Sequence, residues 1–130
     1  LQQRDWTAVR QAMQRGELDG YLANWYADYP DAENFLYPLF FSEMAGAGGN
    51  AAFYSDATVD SLTLTARRTL DDDTRIAMYA RADSLIHAGA PWIFTVHPID
   101  YDLVQPWMEG YDIKQVFYEQ KWLDVSLGSD

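Results

Sequence analysis

The run Leu22-Ala23-Asn24-Trp25-Tyr26-Ala27-Asp28-Tyr29-Pro30-Asp31-Ala32-Glu33-Asn34-Phe35 sets aromatic rings among carboxylates directly after an apolar stretch. Aromatic faces offer large, rigid contact area that tolerates many partners. A carboxylate held among them loses hydration and gains strongly from a cationic partner. The chemistry this pattern could perform is capture of an amine-bearing ligand, with Trp25 as the wall and Asp28 as the charge. Asn24, Tyr26 and Ala27 complete the candidate ligand-binding set. The residues alone equally allow Asp28 to brace the Tyr29-Pro30 turn while Trp25 belongs to the core.

Other chemistries fare less well. Asp28 with Asp31 or Glu33 has the composition of a glycosidase pair, but a short loop does not fix the separation such a pair needs. The Trp and Tyr residues could line a carbohydrate-binding platform, yet several occupy helical core positions. No Gly-x-Ser-x-Gly elbow, phosphate loop or nucleophile with its base occurs, so no catalytic residue is expected. Asp71-Asp72-Asp73 lacks the spaced oxygen ligands and central glycine of a calcium loop. His87 and His97 have no neighbouring His or Cys at zinc spacing. No metal and no cofactor is expected.

Around the aromatic run, the pattern predicts a helix opened by Asp5, with Trp6, Val9 and Met13 on one face and Gly16 as its stop. Residues 18–25 read as a buried strand ending in the Asp28–Asp31 turn. Asp31 then opens a helix through Phe40, with Phe35, Leu36, Leu39 and Phe40 inward and Pro38 limiting its length. Residues 45–50, rich in glycine, read as a flexible surface loop. Ser55 or Asp56 caps a helix carrying Val59, Leu62 and Ala66. The aspartates at 71–73 separate it from another, over 74–88, with Ile76, Tyr79, Ala80, Ala82, Asp83 and Ile86 in the repeat and Gly89 as the stop. Residues 92–97 and 101–104 read as strands. Short strands are also expected at Phe117-Tyr118 and within 122–127.

The 130 residues are 48% hydrophobic and 15% aromatic, enough for a packed core. Net charge is −11, from 20 acidic and nine basic residues, which excludes nucleic acid and disfavours an anionic membrane surface. With zero cysteines there is no disulfide and no thiolate zinc site in this segment. The chain opens on Leu1-Gln2-Gln3-Arg4 without an initiator Met or an export-type apolar segment, and is expected to be part of something longer. Its aromatic tail is expected to pack on chain outside it.

The order of landmarks resembles the C-terminal portion of the family 5 extracellular solute-binding proteins, the dipeptide and oligopeptide receptors of ABC importers. The likeness runs over nearly the whole chain: residues 20–31 with Asn34-Phe35-Leu36; Asn50 and Tyr54; Val59-Asp60 and Ala66-Arg67; Asp72, Arg75 and Tyr79 before Ala82. Ala90-Pro91-Trp92-Ile93, His97, and 104–111 complete it. The resemblance implies an α/β fold: a type II periplasmic-binding-protein-like lobe fragment, a mixed sheet with flanking helices and a C-terminal segment returning to the other lobe. Residues 1–100 would supply part of the second ligand-binding lobe. Residues 101–130 would form the hinge crossing and a segment packing on the first lobe. In peptide-binding members the Trp-x-x-Asp motif lines the cleft and its carboxylate meets the ligand's terminal ammonium; Trp25 and Asp28 occupy those positions. The implied protein is a binder, not an enzyme, and a periplasmic or extracellular lipoprotein at the membrane surface. Its partners would be a peptide, the importer's membrane permease subunits and the N-terminal lobe of the same protein. The family also includes receptors for oligosaccharides, nickel complexes and other small solutes.

Overall fold

Residues 3–97, 99, 101–112 and 124–128 are described by the computed structural model. Helix α1, Trp6–Gln14, begins where the Asp5 carboxylate accepts the backbone N–H groups of Thr7 at 2.9 Å and Ala8 at 3.4 Å. Those N–H groups have no partner within the helix, and a negative charge there also meets the positive end of its dipole. The helix closes as the sequence implies. Gly16, at φ 66°, takes the left-handed turn, and the next N–H, of Glu17, returns to the Ala12 carbonyl at 2.9 Å.

Three further helices build the core of the first compact unit, formed by Leu1–Trp25 and Asp31–Ile93. They are α2, Glu33–Phe40; α3, Ala57–Ala66; and α4, Asp72–Gly89. Asp56 caps α3 by accepting from Thr58 and Val59, and Asp71 caps α4 by accepting from Thr74. Leu36, Leu39, Phe40, Val59, Ala66, Tyr79, Ala82 and Ile86 form one buried cluster, with Tyr54, Leu62 and Trp92 packed against it. Ala66 and Ala82 are wholly buried, and small side chains of this kind let helix surfaces approach closely where α3 and α4 pack.

Several expectations need correction here. Phe35 is 42% exposed, because the inward stripe of α2 runs through Leu36 and Phe40 and Phe35 lies about 100° around the axis from Leu36. Ile76 is also exposed, as is Ala80; the buried stripe of α4 is Tyr79, Ala82 and Ile86. Gly89 is the last helical residue rather than the stop, and Ala90 takes the left-handed conformation at φ 47°. The glycine serves packing: a Cβ at 89 would lie 3.2 Å from the Tyr54 ring.

The 45–50 loop is ordered by a buried side chain. Asn50 is 0% exposed, and its side-chain amide donates to the carbonyls of Phe41 at 3.2 Å and Tyr54 at 2.8 Å, while its oxygen accepts from the Tyr54 N–H at 3.1 Å. Its backbone N–H reaches the Met44 carbonyl and its carbonyl accepts from Gly46 and Phe53. Two short 3-10 turns, Ser42–Met44 and Gly46–Gly48, wrap this residue. Gly46 is required on two counts. Its φ is +74°, and a Cβ there would come within 2.6 Å of the Gln14 carbonyl at the end of α1. Asp60 of α3 accepts from the backbone N–H and the hydroxyl of Ser42, tying the first turn to the core.

The expected strands at 18–25, 92–97 and 101–104 are not strands. Residues 20–27 have no regular structure, and Leu22 is 85% exposed; Ile93 is 91% and Leu103 100% exposed. A strand exists only by pairing, and among the described residues none pairs with these stretches. The second unit, Tyr26–Pro30 with Phe94–Asp130, holds the sheet of the described residues. In it β1, Met108–Glu109, pairs antiparallel with β2, Ser126–Leu127, and the Gly128 N–H donates to the Trp107 carbonyl at 2.7 Å. The expected strand at Phe117-Tyr118 lies outside the described residues, as does the beginning of the 122–127 segment.

Asn50→Ala would leave buried backbone groups of Phe41 and Tyr54 without partners and should cost about 2 to 4 kcal/mol in urea unfolding. Thr63 provides the contrast: it is 0% exposed and its hydroxyl has no hydrogen-bond partner. Thr63→Val keeps the shape and removes the stranded hydroxyl, so it should leave stability unchanged or raise it by about 1 kcal/mol in the same measurement.

Candidate functional site

The aromatic run enters α2 through two carboxylates, each met by an arginine from elsewhere in the first unit. Nη2 of Arg75, on α4, lies 2.6 and 2.7 Å from the two carboxylate oxygens of Asp31. Asp31 also accepts the backbone N–H of Glu33 at 2.7 Å. Ala32 is the formal cap of α2 and supplies no side-chain bond, so Asp31 fills that role from one position earlier. Two residues on, the Glu33 carboxylate is 2.8 Å from Nε of Arg67, which follows α3. The Arg67 guanidinium lies 3.7 Å from the Tyr37 ring centre, and that ring stacks on Phe41 at 4.9 Å. Arg75 in turn lies 5.0 Å from the ring centre of Tyr79, which is 2% exposed. Planar guanidinium groups suit this double duty, presenting several donors in one plane and a flat face to an aromatic ring.

Burial alone would raise the pKa of Asp31. The hydrogen bonds from Arg75 and the Glu33 N–H, together with the guanidinium charge, outweigh it and hold the carboxyl below its usual value. The same bond raises the Arg75 guanidinium further above its ordinary range, so the pair is ionised throughout the neutral region.

The five sequence-predicted site residues fall as follows. Asn24 is exposed and Trp25 is 37% exposed, both in the first unit. Tyr26 is 49% exposed, Ala27 is buried and Asp28 is exposed, all in the second unit. The arginine partners of the run were not among the predicted site residues. Asp31 and Arg75 are 44 residues apart, so spacing could not join them; the available signal was that each belongs to a landmark of the resemblance. Among the described residues no group of three or more His, Cys, Asp or Glu side chains could hold a metal ion.

No family model matches the chain. Curated relatives do. The probable di/tripeptide-binding protein 5 of Pseudomonas aeruginosa is 29% identical over 109 residues, 84% of this chain and 21% of that protein. Heme-binding protein A of Haemophilus influenzae is 30% identical over 107 residues, 82% of this chain and 19% of that protein. Among solved structures, the ABC transporter-associated periplasmic binding protein DppA from Helicobacter pylori, in complex with the peptide STSA, matches 97% of this chain and 25% of its own. The TM-score is 0.72 and the identity 28%.

The chain belongs to the family 5 extracellular solute-binding proteins. It spans about a fifth of the length of the curated relatives it matches. Its fold is accordingly part of the α/β periplasmic-binding-protein architecture, represented among the described residues by the helices of the first unit and the small antiparallel pair of the second. No helix among the described residues is long and apolar enough to cross a membrane.

A carboxylate whose pKa is lower folded than unfolded adds stability above its unfolded value and loses that contribution as pH falls through the folded value. The stability difference between wild type and Asp31→Asn should therefore be constant from neutrality to about pH 5 and shrink toward about pH 2. Urea unfolding of both proteins across that range measures it. An equal difference at both ends would contradict the ion pair.

Proposed function

We propose that the full-length protein carrying this chain is the substrate-binding component of an ABC importer and captures short peptides, di- or oligopeptides, for transport. The observation that carries the reading is the match, over 97% of the chain at a TM-score of 0.72, to a peptide-bound periplasmic receptor. The di/tripeptide-binding relative supports the same solute class. The heme-binding relative is equally similar, so the solute rests on the structural match and on Asp28 rather than on identity alone.

In this reading Trp25 walls the pocket and Asp28 pairs with the peptide's terminal ammonium, with Asn24, Tyr26 and Ala27 alongside. A receptor for many peptides must recognise what all peptides share, and the charged amine is one such feature. Binding is stoichiometric and leaves the solute unchanged; the protein is a binder and not an enzyme. Ligand selects a closed state of two lobes by its extra contacts there. Residues 1–100 belong to the second lobe, and 101–130 form the crossing and a segment that packs on the first. Exposed apolar side chains support a covered surface here: Val96 is 79%, Ile99 76%, Tyr101 81% and Leu103 100% exposed. The reading places the protein in the periplasm, or outside the cell as a lipoprotein anchored to the membrane surface, delivering ligand to membrane permease subunits.

Asp28→Asn in the full-length protein should weaken peptide binding by about 2 to 5 kcal/mol, the loss on removing one partner of a desolvated charge pair. Acetylating the peptide's N-terminus should produce the same loss by calorimetric titration. Trp25→Ala should weaken unrelated peptides to similar degrees. Unchanged affinity in the first two tests would remove Asp28 from the site and shift the solute toward sugars, metal complexes or heme.

A further inference from the structure

We infer that α1 is a strap that opens separately from the rest of the first unit and is held closed by the ring of Phe53. Phe53 has φ 53°, a conformation in which a bulky side chain crowds its own backbone and which asparagine or glycine adopts at far lower cost. Asn50 imposes it. The Phe53 N–H donates to the Asn50 carbonyl at 3.2 Å, and the Asn50 side chain grips the next residue, Tyr54, through its N–H at 3.1 Å and its carbonyl at 2.8 Å. Bonds on both sides of position 53 therefore hold the turn whatever side chain stands there. The presence of phenylalanine has to be explained by what its ring touches.

That ring covers the C-terminal turn of α1. Its edge lies over Gly16, where an added Cβ would come within 3.0 Å of it, and over Gly46, where the corresponding distance is 3.6 Å. Gly46 itself sits against the Gln14 carbonyl at the end of the helix. Phe53 thus presses the last turn of α1 onto the loop that Asn50 orders, while remaining 47% exposed.

The other packing of α1 is slight among the described residues. Ala12 is its buried residue, Trp6 at the far end is 56% exposed, and the helix packs on the turn Gly46–Gly48. An element with so few buried apolar contacts opens at a free energy well below that of the core. The Asp5 cap and the return of the Glu17 N–H to Ala12 are bonds within α1 and its ends, so they survive opening and keep the strap helical. The ring contact does not survive it. Glu17 is also where the chain leaves α1 for the run that ends at Trp25 in the same unit, so the closed strap fixes the upstream end of that run.

The experiment is hydrogen exchange of the full-length protein, read by mass spectrometry on peptides from α1 and from α3 and α4. In the wild type the α1 amides should exchange about 100-fold faster than those of α4, as a separate opening requires. Phe53→Asn removes the ring and suits the backbone, so it should speed exchange in α1 about tenfold further and leave α3 and α4 unchanged or slower. Phe53→Tyr keeps the ring and should keep the wild-type rate in α1. Should Phe53→Asn not fold, Phe53→Leu, which removes the ring and retains the backbone cost, is expected to speed α1 selectively in its place. Wild-type α1 exchange as slow as that of α4 overturns the separate opening. An α1 rate unmoved by loss of the ring, or α1 and α4 accelerated by the same factor, overturns the role of Phe53.

Discussion

Two arginines from separate stretches of the chain converge on the start of α2 and tie it to α3 and α4 within the first unit. Arg75 reaches from α4 to Asp31, and Arg67 from the end of α3 to Glu33. Such pairs are worth little when fully exposed, because water screens them and two long side chains lose freedom. Here the arginine side chains lie against rings and the carboxylates are largely covered: 29% exposed for Asp31 and 11% for Glu33. Geometry is therefore fixed by packing before the charges meet. Beneath the ion pairs, Leu36, Leu39 and Phe40 give α2 an apolar contact with α3 and α4, and the pairs determine how its N-terminal end is set.

The same logic governs the polar loop behind α2. A buried asparagine is costly unless its amide is matched, and Asn50 finds partners for both side-chain polar atoms in the backbone of Phe41 and Tyr54. Those partners lie just after α2 and just before α3. The loop therefore sets the connection between two core helices, although its glycine content reads as flexibility. Satisfied buried networks of this kind specify one arrangement because every alternative strands a donor or an acceptor.

What the sequence determined by itself was local. Asp5, Asp56 and Asp71 cap helices by bonding N–H groups two or three residues on, and Gly16 ends one by adopting a positive φ, so each signal and its effect share one turn of chain. The helical core residues were legible for the same reason, except where the stripe's exact angle mattered, at Phe35 and Ile76. The candidate site was legible only as a run, with Trp25 and Asp28 marked by their resemblance to a family motif. Tertiary structure decided what required partners far along the chain: the Asp31–Arg75 and Glu33–Arg67 pairs, the buried amide of Asn50, and the absence of strand pairing for 18–25, 92–97 and 101–104 among the described residues. A cap is satisfied by its own neighbours, whereas a strand, a salt bridge or a buried amide is completed by a group whose position the fold alone supplies.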